Sequence, residues 1–359
     1  MKAIGVIPGK KESARIVDVD KPEMSSSEVL VRVLRVGICG TDHEIDQGLY
    51  GEAPEGEDFL IPGHESLGIV EEIGRDVKGF EKGDLVVSTV RRPCSENCLN
   101  CRSGENDMCL TGNFRERGIK SLHGFMAEYY KEIPEYLVKI PEELSDVGVL
   151  LEPLSIVEKA IMQTFKIQER MKWKPKTALV LGAGPIGLLA TFVLRDMGIN
   201  TYTLALDPID SQKAKLVTES GASYIDATKE PIPGLVEKLG NIDFILEATG
   251  SSTVSFQAMG ILGINGVLAL TGITGGDKKL EVDADHLSLS LVLGNKLIFG
   301  SVNANITYFR KGVKHMQNFE AKWPGLLSKL ISRKVAFEDF KEAPLRKKGD
   351  IKVIIEIGK

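Results

Sequence analysis

The sequence lacks several features that would indicate particular classes of protein. No segment gathers lysine and arginine, and the formal net charge is −5. Because a protein that binds the phosphate backbone needs a basic patch, we expect no nucleic-acid partner. No run approaches the ~18 uninterrupted apolar residues of a membrane span, so we also expect no membrane partner.

The N-terminus and the cysteine count exclude two further classes. The first residues, MKAIGVIPGKKESARI, contain no apolar segment followed by a small-residue cleavage site, so they are not typical of a signal peptide. The chain has five cysteines, an odd number, and a reducing cytosol disfavours a disulfide framework. We therefore expect a cytoplasmic protein whose cysteines bind metal.

The length of 359 residues predicts about two domains, since one domain usually takes roughly 150 residues. The first half carries short apolar alternations between turn residues, such as EVLVRVLRV and GDLVV, which predict antiparallel strands. After about residue 150, helical patterns alternate with buried strands such as TALVL and DFILEAT, which predicts a parallel α/β sheet. Near the end, WPGLLSKLISRK (323–334) predicts a helix and IKVIIEIG predicts a strand.

A glycine-rich sequence follows the strand TALVL and opens a predicted helix. Such a G-x-G-x-x-G turn brings the backbone and a helix N-terminus close to the pyrophosphate of a dinucleotide. The alternative is an ordinary tight turn between a strand and a helix. We predict a dinucleotide site formed by Gly182, Ala183, Gly184, Pro185, Ile186 and Gly187.

Asp207 stands 20 residues after Gly187, near the end of the next predicted strand. An aspartate here accepts hydrogen bonds from the adenosine ribose and repels a 2′-phosphate, which favours NAD over NADP. No arginine lies between 196 and 210, although Lys213 and Lys215 are alternative partners for a 2′-phosphate. The competing interpretation is that Asp207 is a surface residue before a proline.

Candidate ligands for a catalytic metal are dispersed along the chain. Cys39 in GICGTDHEI and His64 in PGHESLG are typical Zn²⁺ ligands, and a catalytic zinc takes three protein ligands. Glu152, a carboxylate in an apolar run, is a candidate for the third. Glu65 is a second candidate, either as a ligand or as a residue that orients one. A lone cysteine or histidine is also common without any metal.

Residues 94–109, here called the cysteine lobe, hold the other four cysteines. Three, two and seven residues separate them, and four thiolates can close a tetrahedron around a zinc ion. A site closed by sulfur has no position for a substrate, so we predict a structural zinc site. A three-cysteine site completed by another group is the alternative. The predicted ligands are Cys94, Cys98, Cys101 and Cys109.

These motifs together resemble those of a known family. GHESLGIVEEIG, GICGTD, GDLVV, the cysteine lobe and GAGPIG occur in the order found in zinc-dependent medium-chain alcohol dehydrogenases. FLIPGHES, VRRPC, FRERGI, LHGFM, YLVKIP, EPLSIVEK and SVNANI resemble the archaeal-type glucose dehydrogenases within that superfamily. In that family the cysteines of the lobe are usually separated by two, two and seven residues. The extra residue after Cys94 therefore makes this cysteine a departure from the pattern.

The resemblance implies an α/β protein of two domains. A β-rich, GroES-like catalytic domain would comprise residues 1–155 together with 300–359. A Rossmann domain with a doubly wound parallel sheet would comprise 156–299. A homodimer or homotetramer is also expected by resemblance.

The resemblance also implies an activity. The enzyme would transfer a hydride from the C1 hydroxyl of a glucose- or galactose-type aldose to NAD(P) and release a lactone. The sequence EPLS also matches the sorbitol dehydrogenase branch, so a polyol or another secondary alcohol is the alternative substrate. The catalytic zinc would be held by Cys39, His64 and Glu152, with Glu65 able to exchange into the shell.

Further site residues follow from the same resemblance. Thr41 would touch the reacting oxygen, and His43 would either carry the proton outward or be a simple surface residue. Sugar hydroxyls would be bound by Glu116, Glu152 and Asn303, and the dinucleotide would also contact Thr249 and Asn303. The chain departs from its relatives at two polar positions, which hold Val90 and Ile156.

Overall fold

The computed structural model describes residues 1–345 and 347–358. The chain folds into two compact units. The first unit comprises Met1–Ser155, Asn303–Met316 and Leu330–Lys359, and the second comprises Ile156–Val302 and Gln317–Lys329. The predicted domains differ from these units, because they assign residues 317–329 to the first domain. The predicted division into domains stays a prediction.

The strands, in chain order, are β1 (Lys2–Gly5), β2 (Arg15–Asp18), β3 (Val29–Ile38), β4 (Glu65–Ile73), β5 (Leu85–Ser88), β6 (Arg91–Arg92), β7 (Arg115–Arg117), β8 (Ser121–Leu122), β9 (Tyr129–Glu132), β10 (Leu137–Ile140), β11 (Thr177–Leu181), β12 (Asn200–Ala205), β13 (Ser223–Asp226), β14 (Phe244–Glu247), β15 (Val267–Leu270), β16 (Leu297–Gly300), β17 (Ile331–Ala336) and β18 (Lys352–Glu356).

The α-helices are α1 (Gly40–Asp46), α2 (Leu99–Arg102), α3 (Leu151–Gln168), α4 (Pro185–Asp196), α5 (Gln212–Glu219), α6 (Leu235–Leu239), α7 (Ser252–Ile261), α8 (Ala284–Leu293) and α9 (Ile306–Lys322). Short 3₁₀ helices cover Asn106–Met108, Pro134–Tyr136, Glu142–Leu144, Gly148–Leu150, Ile232–Gly234, Ser328–Leu330 and Phe337–Glu342.

A largely antiparallel sheet forms the centre of the first unit. Its strands lie in the order β10-β5-β4-β3-β18-β17, and β9 also pairs with β3. The β-branched residues of β3 favour a pleated strand, and Val29, Val31, Val33 and Val36 are buried in the core. Since β18 pairs antiparallel with β3, the end of the chain contributes directly to this sheet.

The second unit contains a six-stranded sheet in which every paired neighbour is parallel. The strand order is β13-β12-β11-β14-β15-β16, so the direction of winding reverses between β11 and β14. This is the order of a doubly wound Rossmann sheet, whose ligands bind at the carboxyl ends of the strands near the reversal. The prediction of a GroES-like β-rich part and a Rossmann part is therefore confirmed.

The predicted helix over residues 323–334 is wrong. Helix α9 ends at Lys322, and the segment after it forms turns, the 3₁₀ helix Ser328–Leu330 and then strand β17. Pro324 has no N–H for a helical hydrogen bond, and Gly325 adopts a φ of +75°, which ends helical geometry. Helix α9 itself was not predicted.

A helix must be both long and apolar to span a membrane. Among residues 1–345 and 347–358, each helix is too short or too polar to cross a bilayer.

Candidate active site and cofactor site

Cys39 lies at the N-terminal cap of α1, directly after the central strand β3. Its Sγ accepts a hydrogen bond from the Thr41 N–H at 3.2 Å, and its own N–H donates to Asp42 Oδ2 at 2.9 Å. Asp42 is buried, whereas His43 is exposed on the same helix. The cap therefore fixes the thiol between one strand and one short helix.

His64 brings an imidazole against this thiol from the residue before β4. Its Nε2 lies 3.1 Å from Cys39 Sγ, and its Nδ1 lies 3.7 Å from Asp42 Oδ1. Both Nδ1 and that carboxylate oxygen are buried and have no hydrogen-bond partner. Burial lowers the pKa of His64, but the negative charges of Cys39 and Asp42 outweigh it and hold that pKa well above its ordinary value.

Glu65 is adjacent to the pair and is bound to a buried lysine. Cys39, His64 and Glu65 each offer a ligand atom, and these atoms lie within 4.8 Å of one another. Lys352 Nζ, from β18, donates to both oxygens of Glu65 at 2.7 and 2.6 Å and to the carbonyl of Ile38 at 3.1 Å. Both carboxylate oxygens of Glu65 therefore accept hydrogen bonds from the ammonium group of Lys352.

The position of this carboxylate depends on a glycine in β3. Gly37 is the register partner of Glu65, and a Cβ at Gly37 would come within 2.1 Å of Glu65 Oε2. The first glycine of GICGTD therefore leaves the space that the ion pair occupies. Lys352 has no motif around it, so sequence reasoning missed it.

Glu152 lies in the first turn of α3 and is 6% exposed. It is not part of the group within 4.8 Å, although its charge interacts with His64 and Glu65. Burial raises the pKa of Glu152 to about 8, and the opposing influence of His64 does not cancel this. From the protein groups alone, this carboxyl favours its protonated form near neutral pH.

The cysteine lobe brings its four sulfur atoms within 4.8 Å of one another. All five cysteines of the chain are free of disulfides. Asn97, in the longer first spacing, adopts a φ of +50° and donates its N–H to the Cys94 carbonyl at 3.1 Å, so the extra residue is absorbed in a turn.

Backbone N–H groups point at the sulfur atoms of the lobe. The N–H of Cys98 lies 3.4 Å from Cys94 Sγ, and the N–H of Leu110 lies 3.4 Å from Cys98 Sγ. The donated hydrogen bonds from Leu110 and Cys101 lower the pKa of Cys98 to about 6. Such donors stabilise thiolates, which are the form that binds metal.

Two predicted sugar-binding residues, 187 positions apart, form a direct hydrogen bond within the first unit. Asn303 Nδ2 donates to Glu116 Oε1 at 3.0 Å, and both side chains are buried. Arg91 binds the same oxygen through Nε at 3.0 Å and through Nη2 at 2.9 Å. Arg91 was not predicted, although it stands in the VRRPC sequence that carries the resemblance. Val90 packs in an apolar cluster with Ile45.

The glycine-rich loop connects β11 to α4 as predicted. Gly182 has a φ of +104°, and a Cβ at Gly187 would lie 1.9 Å from the Gly182 carbonyl oxygen. Helix α4 starts at Pro185, and a Cβ at Gly184 would meet nothing within 4 Å. The first glycine permits the turn, the third permits close packing, and the second leaves open space where a pyrophosphate would approach.

Two acidic residues lie near the carboxyl ends of the sheet strands. Asp207 follows β12, and Lys213 Nζ donates to its two oxygens at 3.0 and 3.2 Å. Glu247, at the end of β14, accepts a hydrogen bond from the Thr249 N–H at 2.6 Å and one from the Thr249 hydroxyl. Glu247 is fully buried and was not predicted, because no motif marks it.

The comparisons with known proteins agree with this geometry. Residues 145–357 match the family described as Glucose dehydrogenase C-terminus, and residues 25–142 match the alcohol dehydrogenase GroES-like domain. Glucose 1-dehydrogenase from Methanocella arvoryzae is 50% identical over 358 residues, with 100% of both chains covered. Glucose 1-dehydrogenase 2 from Vulcanisaeta moutnovskia is 46% identical, with 99% of both covered.

Among solved structures, Haloferax mediterranei glucose dehydrogenase in complex with NADP, Zn and gluconolactone is 36% identical, with a TM-score of 0.91 and full coverage of both chains. The resemblance stated from the motifs is confirmed. The chain belongs to the glucose dehydrogenase family of zinc-dependent medium-chain alcohol dehydrogenases.

Proposed function

We propose that the protein is a zinc-dependent dehydrogenase that oxidises the C1 hydroxyl of an aldose to a lactone and reduces NAD or NADP. The observation that carries the proposal is the Cys39–His64 pair, whose Sγ and Nε2 lie 3.1 Å apart beside acidic side chains. A thiol, an imidazole and a carboxylate form the donor set of a catalytic zinc site with an open position. The Haloferax relative, which binds NADP, Zn and gluconolactone, supports the same chemistry.

Cys39, His64 and Glu152 are the proposed zinc ligands. The donor set fits Zn²⁺, because a thiol, an imidazole and a carboxyl are the sulfur, nitrogen and oxygen ligands that zinc takes, and Glu152 is buried with its charge interacting with His64. Glu65 fits less well as a permanent ligand, since both of its oxygens accept hydrogen bonds from Lys352. Asp42 faces His64 Nδ1 and orients the imidazole so that Nε2 is directed toward Cys39.

When bound, zinc acts as a Lewis acid that lowers the pKa of a hydroxyl toward neutrality. Thr41 adjoins Cys39 in the first turn of α1, and its hydroxyl takes the proton of the sugar C1 hydroxyl as it releases its own proton to His43. His43 is exposed and transfers that proton to water. The hydrogen on C1 leaves with both bonding electrons to the nicotinamide ring, and the carbon becomes the carbonyl of the lactone.

Glu116 and Asn303 orient the sugar. Arg91 and Asn303 both donate to Oε1 of Glu116, which leaves its other oxygen for a sugar hydroxyl. The glucose dehydrogenases among the relatives support an aldose over the polyol alternative. Gly182, Gly184, Gly187, Asp207 and Thr249 are the proposed dinucleotide contacts. For Asn303, the hydrogen bond to Glu116 favours the sugar-binding role.

The cysteine lobe is proposed to hold a second, structural zinc ion. Its four sulfurs lie together, and backbone N–H groups donate hydrogen bonds to the sulfurs of Cys94 and Cys98. A metal closed by four thiolates stabilises a segment that has little apolar core of its own. Two zinc ions per chain are therefore expected by elemental analysis.

The test is a spectrophotometric screen of purified, zinc-loaded protein at 340 nm. NAD and NADP are each combined with glucose, galactose, sorbitol and ethanol. We expect turnover with at least one aldose and much less with sorbitol or ethanol. Turnover with sorbitol or ethanol but with neither aldose would contradict the assigned substrate class.

We further propose that copies of the chain associate through the second unit as a homodimer or homotetramer. None of the residues of α8 is buried, and Leu289, Val292 and Leu293 are 58%, 71% and 72% exposed. The nearby strand β16 is the edge of the parallel sheet, and a two-fold axis can pair such a strand with its copy. Light scattering of the purified protein should give a multiple of the monomer mass, and Val292→Asp with Leu293→Asp should lower it, to the monomer mass if the wild type is a dimer. A monomeric wild-type protein would contradict association.

A further inference from the structure

The carboxylate of Asp207, the residue expected to bind the adenosine ribose, is paired with a lysine. Lys213 Nζ bonds both of its carboxylate oxygens, at 3.0 and 3.2 Å, and the two side chains are 32% and 20% exposed. The Asp207 carbonyl also accepts a hydrogen bond from the Tyr224 hydroxyl at 2.6 Å, which holds the backbone after β12 in place. The expected anionic site for the ribose is therefore an ion pair.

The position of Lys213 makes this ion pair exchangeable. Lys213 lies in the first turn of α5, where the helix end carries partial positive charge and is unfavourable for a cation. Asp207 supplies the negative charge that holds the ammonium there. A phosphate group would supply more negative charge and three acceptor oxygens, and it would also be favoured by the helix N-terminus.

We propose that Lys213 is the specificity-determining residue of the adenosine ribose site and lets the protein bind both NAD and NADP. With NAD, Asp207 accepts a ribose hydroxyl and remains paired with Lys213. With NADP, the ammonium of Lys213 turns from Asp207 to the 2′-phosphate and offsets the repulsion by the carboxylate. The inference rests on the proposed dehydrogenase function, because it requires a dinucleotide at the carboxyl edge of the sheet.

Lys215 provides a matched control. It lies on the same helix two residues further on and carries the same charge, but it is exposed. Of the two lysines, only Lys213 pairs with Asp207. If positive charge near the site acts in a general way, substitution of either lysine should weaken NADP binding. If the contact is specific, only substitution of Lys213 should do so.

The experiment is calorimetric titration of the full-length, zinc-loaded protein and its variants with NAD, NADP, ADP and 2′-phospho-ADP. The last two probes report on the ribose site without any turnover. We expect Lys213→Gln to weaken NADP binding at least about fivefold relative to NAD, because a charge-assisted contact to phosphate is lost. We expect Lys215→Gln to leave that ratio unchanged within about twofold, since a solvated lysine contributes little.

Three results would overturn the inference. One is that Lys213→Gln weakens NADP binding relative to NAD by less than about fivefold. Another is that Lys215→Gln weakens it as much as Lys213→Gln does. The third is a wild-type protein that binds NAD but not NADP. If the wild type binds neither dinucleotide, the proposed dehydrogenase function fails as well, so the two failures are distinguishable. Asp207→Asn gives an opposite, independent result: it should weaken NAD binding and leave NADP binding unchanged or tighter.

Discussion

The cysteine lobe and the Cys39 site assemble their sulfur in opposite ways. All four sulfurs of the lobe come from residues 94–109, whose own turns bring them within 4.8 Å of one another. The Cys39 site contains one thiol and takes its imidazole, carboxylates and lysine from separate elements of the first unit. Four protein ligands close a tetrahedral zinc site, whereas three leave a position open. The density of cysteines is therefore a poor indicator of where the reaction occurs.

The largest expected effect is on the dispersed site. Cys39→Ser should lower kcat at least about 10³-fold, because Lewis-acid stabilisation of the reacting oxygen supplies several kcal/mol. Zinc content should fall by one ion per chain while NAD affinity is retained. Turnover, elemental analysis and calorimetry measure the three quantities. Full activity in this variant would remove Cys39 from the mechanism.

The matching change in the lobe should act on stability instead. Cys101 is buried, and Cys101→Ser should lower the Tm by about 5–10 °C through loss of a structural metal. Below that temperature, kcat per folded molecule should stay within about threefold of wild type, since no lobe residue is among the proposed substrate contacts. Differential scanning calorimetry and active-site titration separate the two effects. A loss of kcat as large as that of Cys39→Ser would contradict the structural assignment.

Substitution of Lys352 tests how much its buried ion pair with Glu65 stabilises the protein. Lys352 and Glu65 are each 2% exposed, and Lys352→Met leaves the carboxylate buried and unpaired. We expect a loss of about 3–5 kcal/mol in the free energy of unfolding, measured by urea denaturation. Lys352→Arg should recover most of it. A loss below about 1 kcal/mol in Lys352→Met would show that Glu65 finds another partner.

The smallest effect is expected at the proposed sugar site. Glu116→Gln keeps the shape of the side chain but removes the charge that Arg91 and a sugar hydroxyl share, and we expect KM for the aldose to rise about tenfold. KM for NAD should change little. An unchanged aldose KM would remove Glu116 from the sugar site.

Sequence reasoning succeeded where the geometry depends on neighbouring residues. The glycine-rich turn has its strand, its open second glycine and its helix within one short segment, so its geometry follows from local sterics. The cysteine lobe is local in the same sense. Local rules also failed over residues 323–334, where apolar spacing predicted a helix: Pro324 and Gly325 end α9, and the residues from Ile331 pair with β18 as strand β17.

The unpredicted residues act through contacts between distant parts of the chain. Lys352 reaches Glu65 across 287 positions, and Asn303 reaches Glu116 across 187. Nothing in the sequence around Lys352 distinguishes it from a surface lysine. Its role becomes visible only when β18 pairs with β3 and buries it beside a carboxylate.

The sequence by itself determined the two kinds of fold, the glycine-rich loop, the lobe of four sulfurs and the residue types of a zinc site. Each of these depends on side-chain chemistry, hydrophobic periodicity or backbone freedom within a few residues. Only the tertiary structure decided that Glu65 is bound to Lys352, that Asn303 and Arg91 hold Glu116, and that Asp207 is paired with Lys213. These pairings set the local charge, and the charge felt by a group depends on distances that are defined only after the chain has folded.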